Sequence, residues 1–425
     1  MIAGLRQITK RAFSIADLDR MMDLVAFGSP TESGYPVTQA SAMQLPAVWA
    51  CVDLIAKACS VLPGNVFRRV EGGLKPHELA VGHYLQPLIH DRINPGMSSM
   101  EWMGIAITHY LLWGNHYSWV EWAGNDRVKA VYPIPPEIVR VEKKGGFDAE
   151  PRYFIRAADG QEREFPAWSI FHFKNRSIDG VTGLSPIAQM REAIGLVGAN
   201  QKSAASFHRN GFTDRLVLEH PQAIDQQQME TLKKSFNDAY AGLQNAHKAI
   251  ILQNGMTAKP ISIHPNDAQF LEQSRFSNAE VYKIFGVPPH MVGDTEKATS
   301  WGTGIEQQTI GFVTYTLMPI IKGLETALEQ KLLPDTNSSV FVEYEFKGLM
   351  RGDTAARAAW HRTMIESGVY SPNDVLAYEN EDPYDGGDVY RRPMNMQFVN
   401  KAGDVVLKTE PATAGGNANG ETPVP

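Results

Sequence analysis

The sequence predicts an α+β fold built in several units, with helices and strands segregated along the chain. Two stretches, residues 267–285 and 303–333, repeat apolar side chains at three-, four- or seven-residue steps, the period of helices with one apolar face. Between residues 116 and 173 short runs instead alternate apolar with polar residues, separated by turn signals, as antiparallel strands do. With 425 residues and 43% apolar composition, the chain has material for roughly two to four structural units.

Taken in order, residues 1–40 hold a short amphipathic piece at 14–26 and then the polar run FGSPTESGYP, an arm loosely attached to the body of the chain. The segment PAVWACVDLIAKACSVLP reads as a helix with Pro46 in its first turn and Pro63 just past its end. It leads into a strand at 65–70. Helices are expected at 83–90 and 99–113, the second capped by Ser98 or Ser99 and closed at Gly114-Asn115. Strands come next at 116–122, 128–132, 138–142, 153–155 and 165–173. Residues 183–211 read as one helix of about 25 residues, ~37 Å long, capped by Ser185 with Pro186 at its first position. Its Gly195, Gly198, Ala199, Ala204 and Ala205 are small enough for a neighbouring helix to approach closely.

Beyond it a strand at 216–218, a helix at 225–240 and strands near 249–252 and 261–263 make a small unit. The helix over 267–285 carries Phe270, Leu271, Phe276, Val281, Ile284 and Phe285 and stops at Gly286, where Pro288 and Pro289 cannot continue its ladder. Residues 291–304, MVGDTEKATSWGTG, keep no period and read as a mobile loop. The long helix after it contains Pro319, which predicts a kink. A strand at 340–346 rejoins the earlier sheets. Asp353 caps a helix to Glu366, Gly368 ends it, and Ser371-Pro372 starts another to about Tyr378. The last residues, ending TEPATAGGNANGETPVP, have almost no apolar groups and read as disordered.

The run FGVPPHMVGDTEKATSWGTGIEQQTIGFVTYTLMPIIKGLETALEQKLL resembles the signature of portal proteins of tailed bacteriophages, the head-tail connectors of siphovirus type. The resemblance extends over about residues 40–395. It implies an arm (1–40), a wing (41–182), a first stem helix (183–211), a clip (212–265) and a second, antiparallel stem helix (266–286). A tunnel loop (287–304), a kinked long helix with a wing strand (305–350), a crown (351–395) and a tail (396–425) complete it. It further implies a homo-oligomeric ring of about twelve copies at one capsid vertex in the virion, assembled in the host cytoplasm and initiating the procapsid. Double-stranded DNA would pass through it; its partners would be the terminase large subunit, a head-tail adaptor, the major capsid protein and scaffold.

On that resemblance Asp294, Glu296, Lys297, Thr299, Ser300 and Trp301 form a loop facing DNA. Lys297 reaches phosphates, while Trp301 either wedges against a neighbour, faces the bore or packs in the core. Gly302 and Gly304 would hinge the loop and Pro319 would pivot the helix. Lys202, His208 and Arg209 near the end of the first stem helix, with Lys283 on the second, are candidate stem contacts to DNA. Basic groups at a helix C-terminus are favoured by the dipole in any case.

The net charge of −7 argues against a general basic nucleic-acid binder, which replaces phosphate counterions with Lys and Arg. It suits a conduit in which DNA slides. The start MIAGLRQITKR reaches charge before any apolar core, so no leader is expected, and the most apolar run, residues 103–114, is too short to span a membrane. Cys51 and Cys59, ~12 Å apart on one helix, read as buried free thiols. His83, His90, His109 and His116 lack the spacing of a metal site, and no phosphate-loop or ATPase pattern occurs. No cofactor and no catalysis are expected. The competing reading is a metal-dependent hydrolase or nuclease using Asp294 and Glu296.

Overall fold

The computed structural model describes residues 31–390 except 71–76, 125–126, 145–147, 210–214, 220–224, 241–255, 262–266, 295–302, 334–338, 347–348, 350–353 and 380. The chain divides into two compact units, residues 1–350 and 351–425.

The first unit opens with α1 (Gln39–Met43), capped by Thr38, and α2 (Pro46–Ser60), which starts on its proline as expected. Strands β1 (Gly64–Arg69) and β2 (His77–Leu79) come after it. The helix expected at 83–90 is shorter, α3 (Gln86–His90). Pro87 must lie in a first turn, where its missing N–H costs nothing, and residues 80–86 turn before it through His83 N–H to Ala80 O and Gln86 N–H to His83 O. Helix α4 (Ser99–Trp113) begins at a reciprocal cap between Ser98 and Glu101 and ends at Gly114, φ 73°.

Strands β3 (Asn115–Trp122), β4 (Val128–Ile134), β5 (Val139–Glu142) and β6 (Arg152–Arg156) come next. The strand expected at 165–173 is two, β7 (Glu162–Phe165) and β8 (Ile170–Lys174). Pro166 has no N–H to give a ladder, and a 3₁₀ turn over Ala167–Ser169 redirects the chain into another sheet.

The single helix expected at 183–211 is also two, α5 (Pro186–Gln189) and α6 (Arg191–Arg209), broken at Met190 with φ −110° and ψ 23°. Ser185 Oγ donates to Leu112 O at 2.6 Å and ties α5 to the end of α4, so the chain must re-aim before α6. Two of the small residues of α6, Gly195 and Gly198, meet a chain segment that is not a helix. A Cβ at Gly195 would meet Thr31 at 2.7 Å, and one at Gly198 would meet Tyr35 at 2.6 Å. The segment before α1 therefore lies across them.

Then come β9 (Arg215–Glu219), α7 (Gln226–Tyr240), β10 (Thr257–Ile261) and α8 (Asp267–Phe285). The strand expected near 249–252 lies outside the described residues. Helix α9 (Thr303–Phe312), a π-helical turn over Val313–Leu317, α10 (Met318–Leu332) and β11 (Val340–Tyr344) close the unit.

All strand pairs are antiparallel, in sheets ordered β11-β1-β2, β4-β3-β8, β5-β6-β7 and β10-β9. The main core joins α2, α4, α8 and α10 to β3 and β8, with Trp102, Phe171, Ile55 and Leu324 fully buried. A smaller core, Tyr117, Ile138, Tyr153, Ile155 and Ile170, lies between β3 and β5-β6-β7. Edge strand β11 is closed by its own helix. Glu325 accepts from Tyr344 N–H at 2.8 Å and Glu329 from Val342 N–H at 3.1 Å, which occupies donors a foreign strand would otherwise find.

The second unit contains α11 (Thr354–Glu366) and α12 (Pro372–Glu379). Glu379 holds Arg357 at 2.6 Å and His361 at 2.8 Å. Ser371 and Asp374 form a reciprocal cap at the start of α12. The amphipathic piece at 14–26, the capping residue Asp353 and the tail at 396–425 lie outside the described residues.

Candidate functional site

The stretch between α8 and α10 is built from the turn outward. Gly286 takes φ +65°, which only glycine adopts without strain, and ends α8. Pro288 and Pro289 then lead into a single 3₁₀ turn, Pro289–Val292, closed by Gly293 in the left-handed region. Asp294 is next, its N–H bonded to Pro289 O at 3.0 Å. Tyr282, whose hydroxyl pKa is raised by burial and then by the Asp294 charge, stands nearby on α8.

On the far side of the loop, the helix expected to kink at Pro319 is irregular just ahead of that residue. Pro319 is the second residue of α10, where it needs no N–H, and the five residues before that helix wind as a π turn, with Met318 N–H bonded to Val313 O. A proline ring would collide with the carbonyl four residues earlier, that of Tyr315; widening the turn around Tyr315 removes the collision. The π turn also makes a tertiary bond. Thr316 Oγ1 donates to Gly286 O at 2.8 Å, and a Cβ on Gly286 would lie 2.8 Å from that hydroxyl oxygen. The end of α8 is thus tied to the π turn beyond α9.

Helices α6 and α8 pack on one another, with Asn200 Nδ2 donating to Ser277 Oγ at 3.4 Å. Lys202 is exposed and forms no ion pair among the described residues. Lys283 is held by Glu280 at 2.6 Å and lies 6.0 Å from the Phe276 ring. His208 and Arg209 belong to the last turn of α6. Gly304 lies in the first turn of α9. Glu296, Lys297, Thr299, Ser300, Trp301 and Gly302 lie outside the described residues.

The four candidate histidines do not converge. His90 Nδ1 contacts Gly64 O at 3.1 Å. His109 and His116 do meet, Nδ1 to Nδ1 at 3.1 Å, and His116 Nε2 lies 2.8 Å from Ser118 Oγ, which accepts from Trp102 Nε1 at 3.0 Å. Burial drives the His109 pKa down to about 4 and that of His116 well below the usual value, with His109 and His172 adding to the latter. Among the described residues no three His, Cys, Asp or Glu side chains could hold a metal together. Sequence reasoning missed the π turn and the Thr316–Gly286 bond; the signal present was Pro319 lying four residues after Tyr315.

The neck of the native gene transfer agent particle, computed with C12 symmetry, aligns with 87% of this chain and 100% of its own at a TM-score of 0.56 and 20% identity. The HK97-family phage portal protein from Corynebacterium diphtheriae aligns over 74% and 97% at a TM-score of 0.54 and 13% identity. Likeness at that identity speaks for the fold alone. The chain belongs to the phage portal protein family, whose model matches residues 46–380. The portal protein of Enterobacteria phage HK97 is 32% identical over 84% of this chain and 83% of its own. The probable portal protein of Streptomyces phage phiC31 is 30% identical over 88% and 82%.

Proposed function

We propose that this chain assembles as a ring of about twelve copies at one capsid vertex and is the channel through which double-stranded DNA is packaged and later ejected. The observation that carries this reading is the family match across residues 46–380, supported by the C12 symmetry of the related neck. The ring initiates procapsid assembly in the host cytoplasm beside scaffold and major capsid protein. The clip, residues 212–265, docks the terminase large subunit and afterwards the head-tail adaptor.

Asp294, Glu296, Lys297, Thr299, Ser300 and Trp301 face the passing DNA. Gly302 and Gly304 hinge that loop, and the helix pivots at Pro319, where the π turn precedes it. In the stem, Lys202 forms no ion pair among the described residues, whereas Lys283 must first leave Glu280, so Lys202 with His208 and Arg209 makes the stronger phosphate contacts.

Native mass measurement and negative-stain images of the purified chain test the assembly. A species near twelve times 47.1 kDa with a central hole supports it. A compact monomer with metal-dependent nuclease activity overturns it. For the hinge, Pro319→Ala combined with Gly302→Ala is expected to abolish packaging; unchanged packaging sinks that part.

A further inference from the structure

Helix α4, SMEWMGIAITHYLLW, carries one acidic residue and is otherwise apolar or neutral on every side. A helix apolar all round is a buried helix. Its outward side is nevertheless open: Met100 is 54% exposed, and a cavity of 430 Å³ runs along Met97, Glu101, Gly104, Ile105, Thr108 and His109. Gly104 forms its floor, with nothing within 4 Å of where a Cβ would stand. This open groove has room for an apolar side chain.

The same unit carries such a side chain on another surface. Ile178 is 85% exposed, yet its loop is rigidly built. The Asp179 carboxylate accepts from the N–H groups of Val181 and Thr182 at 2.8 and 2.9 Å, from Ser177 Oγ at 2.9 Å and from Thr182 Oγ1 at 3.2 Å. A bridge between Ser177 and Gly183 closes the base. Holding an isoleucine in water on a fixed loop gains the folded monomer nothing; it removes the ordering cost of binding.

Groove and loop lie on opposite sides of α4. Tyr110 donates its hydroxyl to Asn175 Oδ1 at 2.9 Å and so points to the base of the loop. Glu101, in the groove, precedes Tyr110 by nine residues, or about two and a half turns, and faces the other way. Two different complementary surfaces on opposite sides join head to tail, the arrangement that closes into rings. The charges agree. Arg176 beside the knob is exposed and forms no ion pair among the described residues, and neither does Glu101 in the groove.

We propose that Ile178 of one copy seats in the α4 groove of the next, with Arg176 meeting Glu101 of that neighbouring copy. This contact rests on the ring reading above. The test uses the full chain with Ile178→Cys and Ile105→Cys together, oxidised under native conditions; Cys51 and Cys59 are buried and do not interfere. A ladder of covalent oligomers is expected from the double variant and none from either single variant. In parallel, Ile178→Asp should raise the concentration for half-assembly at least tenfold with an unchanged monomer melt, because the side chain is 85% exposed in its own copy. Rings by native mass without a ladder, together with normal assembly of Ile178→Asp, overturn the contact and leave the ring standing. Absence of both ring and ladder overturns both. A covalent dimer from Ile178→Cys alone means a two-fold contact and also refutes the seat.

Discussion

Replacing Gly114 by alanine tests how α4 and α5 are joined. Gly114 ends α4 at φ +73° and ψ 2°. An L-residue held there costs about 1 kcal/mol. The larger effect is contact: an added Cβ would lie 2.1 Å from Leu184 O and 2.4 Å from its carbonyl carbon, both backbone atoms that cannot rotate away. Gly183 approaches as closely from the other side, its own Cβ position falling 2.1 Å from Gly114 O. Asn115 locks the pair by donating to Gly183 O at 2.8 Å and accepting from Gly183 N–H at 2.7 Å. Relieving that overlap requires a backbone shift worth a further ~1–3 kcal/mol, so the total loss should be about 3 kcal/mol. Gly293→Ala is the control, since it shares a left-handed φ of +83° but meets nothing within 4 Å; it should lose only ~1 kcal/mol. Denaturant unfolding of the full chain, with equal m-values required, gives the difference. If Gly114→Ala loses no more than Gly293→Ala, the back-to-back contact does not set the geometry between α4 and α5.

Three other measurements test the same structure. Unfolded His109 takes its proton near pH 6.5 and the folded ring only at about 4. The folded state therefore binds fewer protons, and stability present above pH 6.5 is lost as pH falls toward 4, by up to ~3 kcal/mol; His109→Leu should flatten that slope. Glu325→Ala leaves the Tyr344 N–H without its acceptor and should lower stability by ~1–3 kcal/mol, read by thermal or denaturant unfolding. Burial raises the thiol pKa of Cys51 and Cys59 to about 12, so iodoacetamide should label neither at pH 8 until denaturant is added, as mass spectrometry would show.

Helix α2 was legible because both of its limits are written in prolines, and α4 because the Ser98–Glu101 spacing spells a reciprocal cap. Local chemistry sufficed there. The break at Met190 was not legible: it goes with a bond from the Ser185 hydroxyl to a carbonyl 73 residues away, which leaves no local pattern. The role of Gly195 and Gly198 was half legible. Their smallness signalled a close approach, but a sequence does not say whether a helix or, as here, Thr31 and Tyr35 will make it. For the site, Gly286 and the two prolines announced the turn, while its bond to Thr316 spans 30 residues and leaves no periodic trace.

That bond bears on where the long helix can bend. Below the π turn, α10 buries Ile320, Ile321, Leu324, Leu328 and Leu332 and packs on β8 and β11, so moving it would expose the core. Above it, α9 keeps Ile305 at 40% and Ile310 at 48% exposure and buries Phe312 at its very end. Little apolar area resists a displacement of α9, and much resists one of α10. The boundary between the two regimes falls on Val313–Leu317, which is also where the ladder is already widened to a five-residue spacing. A helix that must flex will do so where its hydrogen bonds are least regular and its burial changes most steeply. Thr316 ties that boundary to Gly286 through one hydroxyl–carbonyl bond, so displacing the π turn away from Gly286 breaks it at a cost of ~1 kcal/mol.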